Sequence, residues 1–167
     1  MPTVTSRRSF LVAGVLAIAL IAAGQARVAE AISPKVIKAF KGKLLVTAEP
    51  LEEAGSDKET IAAWKKAALT EVTGTPNADD VQTWTFQYTA FLKSKGYSTL
   101  AIEFHTDGKF VADQRLEGVD PSLPVLQGEV SITEDDGPSK GKKYTLKLVG
   151  TKGGKETVLA SSSLTLK

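Results

Sequence analysis

The 167-residue chain has no cysteine, a single histidine and only two tryptophans. Without cysteine there is no disulfide framework, thiol nucleophile, thiolate metal site or lipidated N-terminal cysteine. With His105 as the sole imidazole, a multi-histidine metal centre is excluded as well. Long apolar runs are also missing. The longest, Phe10 to Ala23, would span about 20 Å as a helix, short of the roughly 30 Å hydrocarbon core of a bilayer. Net charge is scarce too. Residues 1–31 hold Arg7, Arg8 and Arg27 against Glu30, so the 21 basic and 19 acidic residues of the whole chain fall to 18 of each beyond residue 31. The sequence pI of 8.7 is therefore a property of the N-terminal segment. A neutral domain gives no electrostatic ground for binding nucleic acid or anionic lipid.

What is present begins with a short basic region, the apolar run and two small-residue sites, the layout of an export signal. Ala29-Glu30-Ala31 offers cleavage before Ile32, with Ala29 and Ala31 at the two small positions. Gly24-Gln25-Ala26 offers a second site before Arg27. The stretch Ser6-Arg7-Arg8-Ser9-Phe10-Leu11 resembles the twin-arginine signal motif, carried by Arg7, Arg8, Phe10 and Leu11, with Val12 where the pattern often has lysine. That resemblance implies transient engagement of the twin-arginine translocase, export of an already folded chain to the periplasm or beyond, and no membrane attachment after cleavage. An ordinary secretory signal with two adjacent basic residues is the alternative. The expected organisation is a signal peptide over 1–31, a linker over 32–42 and one domain over 43–167, long enough for a normal core.

Along that domain, Lys43 to Thr47 reads as a strand stopped by Pro50. Ser56 and Glu59 form an S-x-x-E capping box opening a helix over 57–69, with Ile61, Trp64 and Ala68 at helical spacing. The period then changes to two. Trp84, Phe86, Tyr88, Ala90 and Leu92 share one strand face, and Leu100, Ile102 and Phe104 continue in the next. Asp107-Gly108 turns the chain. A three-residue loop, Thr106 to Gly108, pairs Phe104 with Phe110 and Ile102 with Ala112. A two-residue Asp-Gly loop would pair Phe104 with Val111 and set Asp113 against Ile102 on the apolar face. Further strands carry Leu126 to Ile132, Tyr144 to Leu148, and Val158 to Leu166 with a break near Ser162. The loops Glu117–Pro124 and Glu134–Gly141 and the turn Gly153-Gly154 separate them.

About seven strands with one helix between the first two give a mainly β fold, expected as an antiparallel sandwich, with an open barrel as the alternative. The stretch KGKKYTLKLVGTKGGKETVLASSSLTLK, with Tyr144, Leu146 and Leu148, resembles the last hairpin of an immunoglobulin-like or fibronectin-like domain. The Cys-Trp-Cys pattern of antibody domains is absent, and the helix near Trp64 is an addition.

Chemistry is sparse. His105 and Glu103 share a strand face, a two-residue start for a metal site, but the expected register puts Lys109 opposite His105, and an ammonium repels a cation. No G-x-S-x-G occurs. Glu134, Asp135 and Asp136 are consecutive and do not match a calcium loop. GTKGGK, Gly150 to Lys155, lies between strands and does not match a phosphate loop. Trp84, Phe86 and Tyr88 alternate as core residues, whereas Trp64 and Tyr97 are the candidates for a surface binding patch. No cofactor or metal is expected. The expected role is that of an exported, non-enzymatic module that binds a partner protein or envelope component, or serves as a structural accessory. An exported carbohydrate-binding module or small carbohydrate-active hydrolase is the alternative, with a glycan as partner.

Overall fold

The computed structural model describes residues 32–167, so the export motif and both cleavage sites lie outside the described residues. In chain order the elements are α1 (Pro34–Phe40), β1 (Leu44–Thr47), α2 (Asp57–Ala67), β2 (Glu71–Val72), β3 (Thr75–Pro76), β4 (Gln82–Phe91), β5 (Thr99–Thr106), β6 (Lys109–Arg115), β7 (Val125–Thr133), a 3-10 turn (Glu134–Asp136), β8 (Lys143–Lys152) and β9 (Lys155–Leu166). The chain is mainly β, in two mostly antiparallel sheets that do not close into a barrel, consistent with a β-sandwich. In the first sheet β4 is central. β7 flanks it along its length, from Thr83 opposite Thr133 to Phe91 opposite Val125, and β1 and β3 share its other side. The second sheet runs β2-β9-β8-β5-β6, with only β2 parallel to its neighbour. On one side a bridge between Lys43 and Ser161 ties the sheets together.

The two-residue alternation builds the core between the sheets. Trp84, Phe86 and Tyr88 of β4 face Ile102 and Phe104 of β5, Leu146 and Leu148 of β8, and Leu164 and Leu166 of β9. A second core lies on the outer side of the first sheet, where Val36 and Phe40 of α1 and Trp64 of α2 cover Leu45, Phe91 and Val125. All four residues of β1 are therefore buried, two on each side.

The segment read as a linker is thus a helix in part. Pro34 opens α1, and the Ser33 hydroxyl accepts from the Val36 N–H at 3.3 Å and donates to Asp57 at 2.6 Å. Seven residues are too few for a helix to hold alone, so burial of Val36 and Phe40 stabilises it. Helix α2 starts where expected but stops at Ala67, two residues early, because Ala68 turns extended and the Leu69 N–H donates to Val46 of β1. Its cap is half of a capping box. The Ser56 hydroxyl accepts from the Glu59 N–H and donates to the Glu59 carboxylate.

The β5–β6 hairpin corrects the three-residue loop. Asp107 and Gly108, at φ 49° and 75°, form a two-residue turn, with Thr106 opposite Lys109 and His105 opposite Phe110. A bulge then makes Val111 the unpaired residue, so Phe104 meets Ala112 and Ile102 meets Gln114. The bulge keeps Asp113 off the apolar face without lengthening the loop, while the two-residue turn, by pairing Phe110 with His105, turns Phe110 outward. A second bulge at Leu159 breaks the alternation of β9, so that Val158 points out while Leu159 and Ala160 are buried; the break lies there and not near Ser162.

Candidate functional site

The outer face of the five-stranded sheet carries a group of polar side chains in mutual contact, His105, Glu103 and Lys147. The register lines up Lys147, Glu103 and Asp113 in one row, Thr145, His105 and Phe110 in the next, and Val149, Ala101 and Arg115 on the other side. Between them runs a groove of about 330 Å³ lined by Ala101, Glu103, Phe110, Asp113, Arg115 and Val149 among others. His105 Nε2 lies 2.7 Å from Glu103 Oε2, with the two side chains 11 % and 16 % exposed. Lys147 Nζ lies 3.4 Å from His105 Nδ1. An ammonium only donates, so Nδ1 accepts from Lys147, and Nε2–H is left to donate to Glu103. Phe110 meets the ring edge-on at 5.9 Å.

Both imidazole nitrogens are engaged, and the cation beside Nδ1 is Lys147 of β8, not the Lys109 expected from the register. Among the described residues no group of three or more His, Asp or Glu side chains could hold a metal ion. Phe110, 56 % exposed at the rim of the groove, is the most exposed large apolar side chain of the described residues. Sequence periodicity does not reveal it, because its outward direction is set by the two-residue turn, and the bulge at Val111 puts Ala112 on the opposite face.

The two residues proposed from sequence as a binding surface are not brought together. Trp64 is only 2 % exposed. Its indole N–H donates to the Glu52 carbonyl at 2.7 Å, and its ring packs on Phe40 and Phe91. It is a core residue of the helix layer and closes the floor of an open groove of about 770 Å³ beside Pro50, Leu51, Ala63 and Ala67. Tyr97 is half-buried against the inter-sheet core, with its hydroxyl 2.8 Å from Ser94. Trp84 is fully buried, and its indole N–H donates to the Lys167 carbonyl.

Three further features fix loops and core. The Tyr144 hydroxyl, at the start of β8, accepts from the Ser139 N–H at 2.8 Å. The Thr133 N–H and hydroxyl both donate to Asp136 and hold its carboxyl below the usual range. Burial pushes the Tyr88 phenol up to about 12. Compared with known protein families, curated proteins and solved structures, the chain shows no match.

Proposed function

We propose that the chain is an exported, non-enzymatic immunoglobulin-like module that presents the outer face of its five-stranded sheet to a partner protein. The immunoglobulin-like reading is supported by strand order. Leaving out the two-residue strands β2 and β3, the first, second and fifth (β1, β4, β7) make one sheet, and the third, fourth, sixth and seventh (β5, β6, β8, β9) make the other, with the last two adjacent. This is the partition of the immunoglobulin sandwich with a fourth strand on its GFC sheet. The Tyr144 hydroxyl bond back to Ser139 is similar to the tyrosine corner that such domains place at the start of their sixth strand. Export rests on Ser6 to Leu11 and the small-residue sites that follow.

The observation that carries partner binding is Phe110, an aromatic ring held in the open beside a groove whose walls mix apolar side chains with Asp113 and Arg115. Exposed aromatics rimmed by charge are what protein interfaces use as anchors. The carbohydrate-binding alternative has less support, because two of its three candidate aromatics, Trp64 and Trp84, are buried and Tyr97 is half-buried. The test compares the exported wild-type domain with Phe110→Asp after mild cross-linking at matched expression. Loss of the cross-linked partner with an unchanged thermal midpoint is expected. An unchanged cross-linking pattern overturns the assignment of this face.

A further inference from the structure

We infer that strand β7 is a self-pairing edge, through which two copies of this chain join their first sheets into one continuous antiparallel sheet. The Phe91 N–H donates to Lys43 on the β1 side of β4, at 2.9 Å. Backbone direction alternates along a strand, and Phe91 stands opposite Val125. The N–H and C=O groups of Val125, Gln127, Glu129, Ser131 and Thr133 therefore point away from β4. The Thr133 N–H is taken by Asp136. Those of Gln127, Glu129 and Ser131 have no partner among the described residues.

Every other edge is managed. β1 gives its Val46 carbonyl to the Leu69 N–H just beyond the Gly42–Ser161 bond, β2 and β3 are two residues long, and β6 is broken by its bulge and covered at Val111 by Gly137. β7 is nine residues long, with no proline, no bulge and one charge. An edge with those properties is a template for another strand.

The occupant is a second copy because β7 is complementary to itself in one register. A two-fold axis through Gly128 sets Gln127 opposite Glu129 twice and Val125 opposite Ser131 twice, pairing all the free groups and facing a neutral amide to each carboxylate. An axis through Glu129 would oppose two carboxylates, which is destabilising. An axis through Val130 would need the Thr133 N–H already given to Asp136. With 18 basic and 18 acidic residues beyond residue 31, two copies carry no net repulsion at neutral pH.

The test is sedimentation equilibrium of the domain from residue 32 onward across a wide concentration range, with Gln127→Glu, Gln127→Lys and Phe110→Asp beside the wild type. Each substitution at Gln127 acts twice across the axis. Gln127→Glu should weaken the dimer by about 10-fold and Gln127→Lys tighten it by about as much, while Phe110→Asp leaves it unchanged. Amide exchange at Gln127 and Glu129 should slow with rising protein concentration, a reading that needs no variant. A wild type that stays monomeric at every concentration, or a dimer insensitive to both Gln127 substitutions, overturns the inference. A dimer lost in Phe110→Asp and kept in Gln127→Glu also overturns it and assigns self-association to the other sheet.

Discussion

Gly128 and Tyr88 face each other across the β4–β7 ladder, and the glycine is there because the ring is. A Cβ at Gly128 would lie 2.9 Å from the Tyr88 ring, inside any real contact distance. Gly128→Val should therefore lower stability by about 1–3 kcal/mol or more through overpacking, read as a lower urea midpoint with an unchanged slope. The same tyrosine sets an alkaline limit. Burial raises its phenol from 10.0 to about 12. Below pH 10 the phenol is neutral both folded and unfolded, so it has no effect on the balance. Between pH 10 and 12 the unfolded chain ionises it and the folded chain does not, so stability falls as pH rises and levels off above 12. The loss amounts to about 2–3 kcal/mol, and Tyr88→Phe should remove that part of the decline in urea titrations across the window. At this scale the sequence was half legible. The alternation around Trp84, Phe86 and Tyr88 marked them as core. Phe110 was not legible, because its direction depends on whether the turn holds two residues or three, and the bulge at Val111 hides that choice from the periodic pattern.

Among elements, the two helices differ in how they announce themselves. Helix α2 carries its start in Ser56 and Glu59 and was placed within two residues. Helix α1 has only Ser33-Pro34 and a pair of apolar residues one turn apart, which in an isolated segment of seven would not hold a helix. What makes it helical is long-range: Phe40 stacks on Phe91 of β4 at 5.1 Å and leans on Trp64 at 5.9 Å. The magnitudes say which contribution dominates. Removing the α2 cap by Ser56→Ala should cost about 1 kcal/mol. Truncating the stacked ring by Phe40→Ala should cost about 3–5 kcal/mol. Equilibrium denaturation of the two variants should rank them in that order. Equal midpoints would mean that the helix layer is not part of the cooperative unit. The β5–β6 hairpin teaches the same lesson in strands. Asp107-Gly108 fixed the place of the turn, but loop length and bulge position were exchangeable ways of keeping Asp113 outside, and local sequence does not choose between them.

At the scale of the molecule, the helix layer, the first sheet and the second sheet share two contiguous cores, built without a disulfide. With no cysteine to oxidise, such a domain reaches its native state without disulfide formation, which suits the proposed export in a folded form. The proposal makes a paired prediction. Replacing Arg7 and Arg8 together by lysine keeps the charge of the n-region and removes the planar guanidinium pair, so full-length precursor should accumulate inside the cell and mature protein should fall severalfold. An ordinary secretory route requires only positive charge there and would be little affected. The Phe40→Ala domain sharpens the distinction. A translocase that accepts folded chains should export it less well than wild type in proportion to its unfolded fraction, whereas a route that threads unfolded chains should export it at least as well. Immunoblots of cell and exterior fractions for the two variants decide the matter. Normal export of the lysine pair together with undiminished export of Phe40→Ala would place the chain on the secretory route instead.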